Sequence, residues 1–366
     1  MNHHNRRLHL AGKDPIFMQL LEYGWPRVFA TFIVVYVIVL LPVVLSWSEG
    51  NLINHFLKID ALHDIGYFNQ FAILLPFLIL FIPYYLNGLE DALISLKDRQ
   101  VVMITDKEYE DFSDTTNGIF SHYIVTFSPY CIAISIYVVA LFSYWLAGHN
   151  TWNSPAKGYP FTTAAILSTV PTIILYHLLS GFLFRVAAIC LVIRRYLSHN
   201  VIIHPLHPDK AGGLSPLNKF SLRITAAGIF IGICCVVGIA ASVYQYGLKL
   251  IRIENILIII FYIVGLSIVF FVPLLSARKG MVKAKKRILQ LISDRFNIAV
   301  SEAMAELETD KASPKFDVNN IEELTKLYKI ADRMPVYPFN IENVLKFSSS
   351  VLWPLVLIFL QWMITK

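Results

Sequence analysis

The densest local chemistry in this 366-residue chain lies between His204 and Pro216, which reads His-Pro-Leu-His-Pro-Asp-Lys-Ala-Gly-Gly-Leu-Ser-Pro. His204, His207 and Asp209 are of types that ligate divalent metals, although their spacing lacks the specificity of paired CxxC elements. The same stretch supports a second chemistry. The backbone N–H groups at Gly212 and Gly213 could form a nest for an anion, with Lys210 and the neighbouring Arg194, Arg195 and Arg223 supplying positive charge. The glycine pattern is not that of a P-loop, which requires Gly-x4-Gly-Lys-Ser/Thr. A third role is structural, with prolines and glycines turning the chain and Asp209 capping the turn. On the anion reading, the ligand-binding or gating residues are Lys210, Gly212, Gly213, Arg194 and Arg195.

A second set of polar residues sits in apolar surroundings. Ser348, Ser349, Ser350 and Gln361 lie on a late apolar run and are candidates to line a pore, because a polar side chain in a membrane helix is expensive unless it faces protein or water. Helix packing and serine bonding to its own helix are the plainer alternatives. His177 and Arg185 are eight residues apart, about 80° around an ideal helix. Arg185 is placed near the inner leaflet, where it could snorkel, and His177 reads as a hydrogen-bonded packing residue or part of a polar pathway. No apolar run holds an Asp or Glu well inside it, which counts against a proton-coupled carrier. The acids from Asp106 to Asp114 lack the glycine and terminal glutamate of an EF-hand. They read as a solvated loop that could pair with the bases from Arg278 to Arg287. Cys131, Cys190, Cys234 and Cys235 lie in or beside apolar runs and behave as small hydrophobes. No cofactor is expected.

The elements that must position these residues follow from composition. The chain is 56% hydrophobic and 15% charged, with a mean hydropathy of +0.58. Soluble domains have roughly 45–50% apolar and about 25% charged residues, so a soluble enzyme is excluded. Crossing a bilayer core takes about 20 apolar residues. Seven such runs appear, near Val28 to Trp47, Phe71 to Asn87, Tyr123 to Ala147, Phe161 to Phe184, Ile224 to Leu248, Ile256 to Leu275 and Phe347 to Ile364. Six of the seven contain proline, which removes a backbone donor and kinks a membrane helix. The expected fold is therefore all-α and polytopic, with about seven transmembrane helices.

Lysine and arginine set the orientation, because basic loops stay cytoplasmic. With the N-terminus inside, 25 of the 31 bases fall in inner segments and 5 in outer ones. The C-terminus is then outside. The expected organisation is a cytoplasmic segment 1–27 and a six-helix membrane domain 28–276 with inner loops 88–122 and 190–223. A cytoplasmic helical stalk 277–346 and a last span 347–366 follow. In the stalk, Leu289, Ile292, Phe296, Ala299, Ala303 and Leu307 recur at helical spacing, to pack on the same chain or on a neighbouring subunit. A second stalk helix is signalled by Asn320 and Glu323, a capping-box spacing, with Ile321, Leu324, Leu327, Tyr328 and Ile330 on one side. Met334 to Asn343 then returns the chain to the membrane through two prolines, as a rigid linker or a coupling elbow.

The stretch His207 to Leu214 resembles a His-Pro-Asp-x-Ala-Gly-Gly-Leu element of multi-pass bacterial membrane proteins. The resemblance covers eight residues and the hydrophobic layout, and it implies a bacterial inner membrane without carrying over an activity. Inner-side soluble mass, proline-rich spans and few buried charges point to a homo-oligomeric channel gated from the cytoplasm by a ligand or partner. A secondary transporter, a non-conducting signalling scaffold and a metal-dependent membrane enzyme are the rivals. The expected partners are membrane lipids, further copies of the chain and an anionic cytoplasmic ligand. Nucleic acid is not expected, because bases beside a membrane are first explained by topology and anionic lipid.

Overall fold

In hydrocarbon a backbone can satisfy its polar groups only within helices or closed barrels, and this chain does so with helices. The structure is a computed structural model that describes residues 8, 10, 12–21, 24–54, 57, 59–147, 152, 162–202, 212–246, 253–308, 318–333, 349 and 356. In chain order its helices are α1 (Pro15–Leu21), α2 (Gly24–Ser48), α3 (Ile65–Tyr67), α4 (Leu75–Asp98), α5 (Asp106–Ser121), α6 (Tyr123–Thr126) and α7 (Ser128–Ala147). They continue with α8 (Thr163–Leu167), α9 (Thr169–Tyr196), α10 (Ser215–Tyr246), α11 (Ile253–Glu308) and α12 (Val318–Asp332). Two short strands, β1 (Val102–Met103) and β2 (Asn200–Val201), pair antiparallel.

Among the described residues four stretches are long and apolar enough to cross a membrane: Trp25–Ser48, Ile65–Asp98, Thr163–Tyr196 and Ser215–Ala241. A fifth arises if Asp106–Ser121 and Tyr123–Val139, bent by 50°, act as one span. The described residues thus hold four or five of the seven expected spans. The sixth expected run falls inside α11, and of the seventh only Ser349 and Val356 are described. The expected inner loop 88–122 is largely helix, because α4 runs on to Asp98 and α5 carries the acids, while α9 and α10 extend into the two ends of 190–223. Thr105 and Glu108 form a reciprocal capping box that starts α5, which is why acids expected in a loop are helical.

α2 shows how sequence sets burial. Val28, Val35, Val39, Pro42 and Ser46 form a buried stripe, while Phe29, Ile33, Val37 and Val44 on the other side are exposed. A helix apolar on both faces, with one of them exposed, has the character of a membrane span. Trp25 and Trp47, both exposed, are about 33 Å apart at 1.5 Å per residue, close to the hydrocarbon thickness of about 30 Å.

The second span opens with a π-helical segment, Phe68–Leu74, between α3 and α4. Pro76 has no N–H to give the preceding turn and its ring crowds that turn's carbonyl, so the helix widens there. The widening points Asn69 inward, where its Nδ2 donates to the carbonyl of Cys234 on α10 at 2.8 Å.

The bundle has two chemically different ends. At one, β1 and β2 pair, Arg99 Nη1 donates to Ser215 Oγ at 3.4 Å, and Gly280 of α11 lies against Val201 and Leu197. This gathers Lys97, Arg99, Arg194, Arg195, Lys219 and the first bases of α11 together. At the other, Asp64 caps α3 and accepts from Trp152 Nε1 at 3.0 Å, Tyr67 OH donates to the Val39 carbonyl at 2.7 Å, and the Glu49 side chain accepts from Thr163 N–H at 3.0 Å.

α11 is one helix of 56 residues, about 84 Å long, and α12 packs against it. Lys285 pairs with Asp332 at 3.2 Å, so the two run antiparallel, and this base is met by α12 instead of by the acidic helix. Asp106 pairs with Lys97 at 2.8 Å. The stripe Leu289, Ile292, Phe296, Ala299 and Ala303 is half-buried to buried, whereas Leu327, Tyr328 and Ile330 are exposed. Asn320 lies within α12, which already runs from Val318, so it is not the cap that its spacing suggested.

Candidate functional site

The expected site residues are dispersed. Gly212 and Gly213 are buried and both left-handed, with φ of 66° and 96°, a turn that delivers the chain into α10 and that other residues enter with strain. Arg194 and Arg195 are exposed in the last turn of α9. Ser349 is helical and exposed. Lys210, Ser348, Ser350, Gln361 and the metal candidates His204, His207 and Asp209 lie outside the described residues. Among the described residues no group of three or more metal-ligating side chains occurs.

What the structure does bring together is a buried ionic cluster fed by the N-terminal segment. Leu8, Leu10, Phe17 and Leu20 belong to the membrane-domain core, and the Leu8 N–H donates to Glu90 Oε1 of α4 at 3.2 Å. Gly12, with φ of 64°, turns the chain so closely past α5 that a Cβ there would lie 2.1 Å from the Phe120 carbonyl oxygen. Two residues later Asp14 caps α1. Its Oδ1 accepts from the backbone of Ile16 at 3.0 Å and of Phe17 at 3.3 Å, and Pro15 takes the first helical position, where a missing N–H is harmless.

The same carboxylate reaches across to α7 and α9. Tyr130 OH donates to Oδ1 at 3.2 Å. His177 Nε2 lies 3.2 Å and Arg185 Nη2 3.5 Å from Oδ2, with the Asp14 and Arg185 side chains fully buried and His177 1% exposed. The His177 ring stacks on Tyr130 at 3.9 Å between centroids, and the Arg185 guanidinium sits 3.3 Å from the centre of the Phe17 ring. His177, Gly181 and Arg185 follow at intervals of four on one face of α9. Gly181 is the gap that admits Phe17, since a Cβ there would come within 3.0 Å of that ring. Arg185 therefore does not snorkel. A carboxylate and an aromatic face, both carried by the N-terminal segment, hold it inside.

Burial alone pushes the Asp14 carboxyl up. The His177 imidazole 3.2 Å away, the charge of Arg185 and the Phe17 N–H outweigh that, so its pKa lies below the ordinary carboxylate range. The arrangement can do two things chemically. It locks the N-terminal segment to α9 by charge, and it sets a phenol that hydrogen-bonds one carboxylate oxygen and an imidazole 3.2 Å from the other within a low-dielectric interior.

Sequence reasoning found His177 and Arg185 but missed Asp14, Tyr130 and Phe17. A signal for Asp14 was present, because Asp-Pro before an apolar turn is a helix start. No protein-family model, no curated protein and no solved structure matches the chain.

Proposed function

We propose that the chain is an oligomeric membrane channel gated from its basic, cytoplasmic end, and that the N-terminal segment is the gate. The observation that carries the reading is the burial of Asp14 against His177 and Arg185. Enclosing opposite charges in a low-dielectric core is rarely the most stable solution, and such pairs are best attested as registers and switches. Here the pair holds a segment entering from one end of the bundle, the place for a plug.

The cytoplasmic assignment of that end follows from the positive-inside rule. Self-association is supported by apolar side chains left exposed on the long helix pair, Leu291, Ile298 and Met304 on α11 with Leu327 and Ile330 on α12. The inner membrane of a bacterium and an external C-terminus belong to the same proposal.

A secondary transporter is the second reading, favoured by one observation. The acid that the apolar runs lack is supplied to His177 by the N-terminal segment, and acid–histidine pairs within membrane domains serve as proton relays. Purified protein in liposomes separates the two. Ion flux that runs down its own gradient and rises in Asp14→Asn supports the gated channel. Saturable exchange that Asp14→Asn abolishes supports the carrier, and neither activity removes both.

A further inference from the structure

A cavity of about 210 Å³ opens between α4 and α10 at the basic end of the bundle, apart from the Asp14 cluster. Its polar rim is Arg99, Lys219 and Arg223, with one acid, Asp91, and Ser95. Three cations against one carboxylate leave a net positive pocket. The floor is apolar, made by Ala92, Pro216 and Phe220.

Arg223 is seated by design of the backbone around it. Gly88 of α4 faces it so closely that a Cβ there would lie 2.6 Å from Nη1, and the guanidinium rests 4.9 Å from the centre of the Tyr84 ring. A glycine inside a helix is less stable than alanine, and here it creates the room that lets the guanidinium lie along α4. Orientation of a membrane protein needs bases near this surface, but it does not need them converged from two helices on one cavity.

Depth identifies the ligand class. On α10 the apolar run begins at Ile224, directly after Arg223, and on α4 the apolar run closes near Asn87, directly before Gly88. The cavity thus straddles the boundary between hydrocarbon and headgroup. Guanidinium and ammonium groups at that level match a phosphate, Arg by its fork of donors and Lys as a point charge. An apolar floor beside them suits the glycerol and first acyl carbons. We infer that this cavity binds the phosphate of an anionic phospholipid headgroup, a mode known for basic pockets between membrane helices. It depends on membrane embedding and not on the channel reading.

The test is thermal unfolding of the purified full chain in detergent, with added phosphatidylglycerol, phosphatidylcholine or inorganic phosphate. Phosphatidylglycerol raises the Tm and phosphatidylcholine does not. The increment is lost in Lys219→Gln/Arg223→Gln, is reduced in the rim variant Arg99→Gln, and survives in Arg194→Gln/Arg195→Gln. Arg99 is exposed, so that variant keeps the test decisive should the double variant fold poorly. Equal increments from both lipids, or full retention in Arg99→Gln and in the double variant, overturn the site. An increment from inorganic phosphate as large as that from phosphatidylglycerol assigns the pocket to a soluble anion and overturns the lipid.

Discussion

The Asp14 carboxylate lies 3.2 Å from His177 Nε2, joining a segment ahead of the first membrane span to the middle of the fourth apolar run. A turn with a left-handed glycine, a cap and a proline in sequence produce that approach, and α9 meets it with a stripe of His177, Gly181 and Arg185.

Removing the charge tests the latch. Breaking a buried ion pair from one side costs about 3–5 kcal/mol, because the remaining charge is left uncompensated. Asp14→Asn should therefore lower the unfolding midpoint of the purified protein and, if the segment is the gate, raise flux in liposomes. Arg185→Met on the same background should recover part of the stability, since it removes the orphaned charge. A double variant no more stable than Asp14→Asn would count against the pairing.

The pH dependence follows with a definite sign. Asp14 lies outside the spans, and its folded pKa is below the ordinary carboxylate value of 3.8. Its contribution is complete above that ordinary value and is lost as pH falls through the lower folded value. Acid unfolding of the wild type should therefore contain a component that is absent in Asp14→Asn. Coincident acid-unfolding profiles, after allowing for the offset at neutral pH, would contradict it.

Gly12 tests the route of the segment. With φ of 64° and a Cβ position 2.1 Å from the Phe120 carbonyl oxygen, Gly12→Ala meets backbone, which cannot move aside as a side-chain end does. A loss of at least about 2 kcal/mol is expected from the left-handed strain and the clash together. Cleavage of the N-terminal segment by added protease should rise in parallel. Gly118→Ala on α5, where a Cβ would meet nothing within 4 Å, is the control and should leave that segment protected.

How much of this was legible depends on where the partner lies. α2 is apolar on both faces, so hydropathy alone places it. The acids of α5 read as a solvated loop on charge alone, whereas the Thr105 and Glu108 capping box makes them helical. Asn320 shows the reverse error, a good spacing that is not a cap. Asp14 was invisible as a site because its meaning comes from His177 and Arg185, which are remote in sequence. The Arg185 environment likewise comes from Phe17, so a hydropathy window could only send it to the surface. Arg194, Arg195 and Arg223 are all candidates by their nearness to the Gly212-Gly213 loop, but only Arg223 joins the converging bases, with Arg99 and Lys219, which are remote from one another in sequence.

The end of α4 offers a stabilising change. Gln100 is left-handed at φ 55°, the Val101 N–H donates to the Leu96 carbonyl at 3.0 Å and the Gln100 N–H to that of Lys97 at 2.9 Å. Both bonds define a Schellman motif, completed by contact between the buried Leu96 and Val101. Glycine is the residue this position favours, so Gln100→Gly should stabilise by about 1 kcal/mol. Gln100→Val, branched at Cβ, should destabilise instead.

At the opposite end, Trp152 anchors to the start of the second span. Its indole N–H donates to Asp64 Oδ2 at 3.0 Å while its ring meets Tyr67 edge-on at 5.0 Å, and Tyr67 in turn holds the Val39 carbonyl of α2. Trp152→Phe keeps an aromatic edge for Tyr67 but leaves a buried carboxylate oxygen without its donor, a loss of about 1–3 kcal/mol. Asp64→Asn changes the acceptor and the cap together. If the indole acts through Asp64, the cost of Trp152→Phe should shrink in the Asp64→Asn background, and a thermal-unfolding double-mutant cycle measures that coupling. Additive losses would instead mean that Trp152 stabilises this end by packing alone.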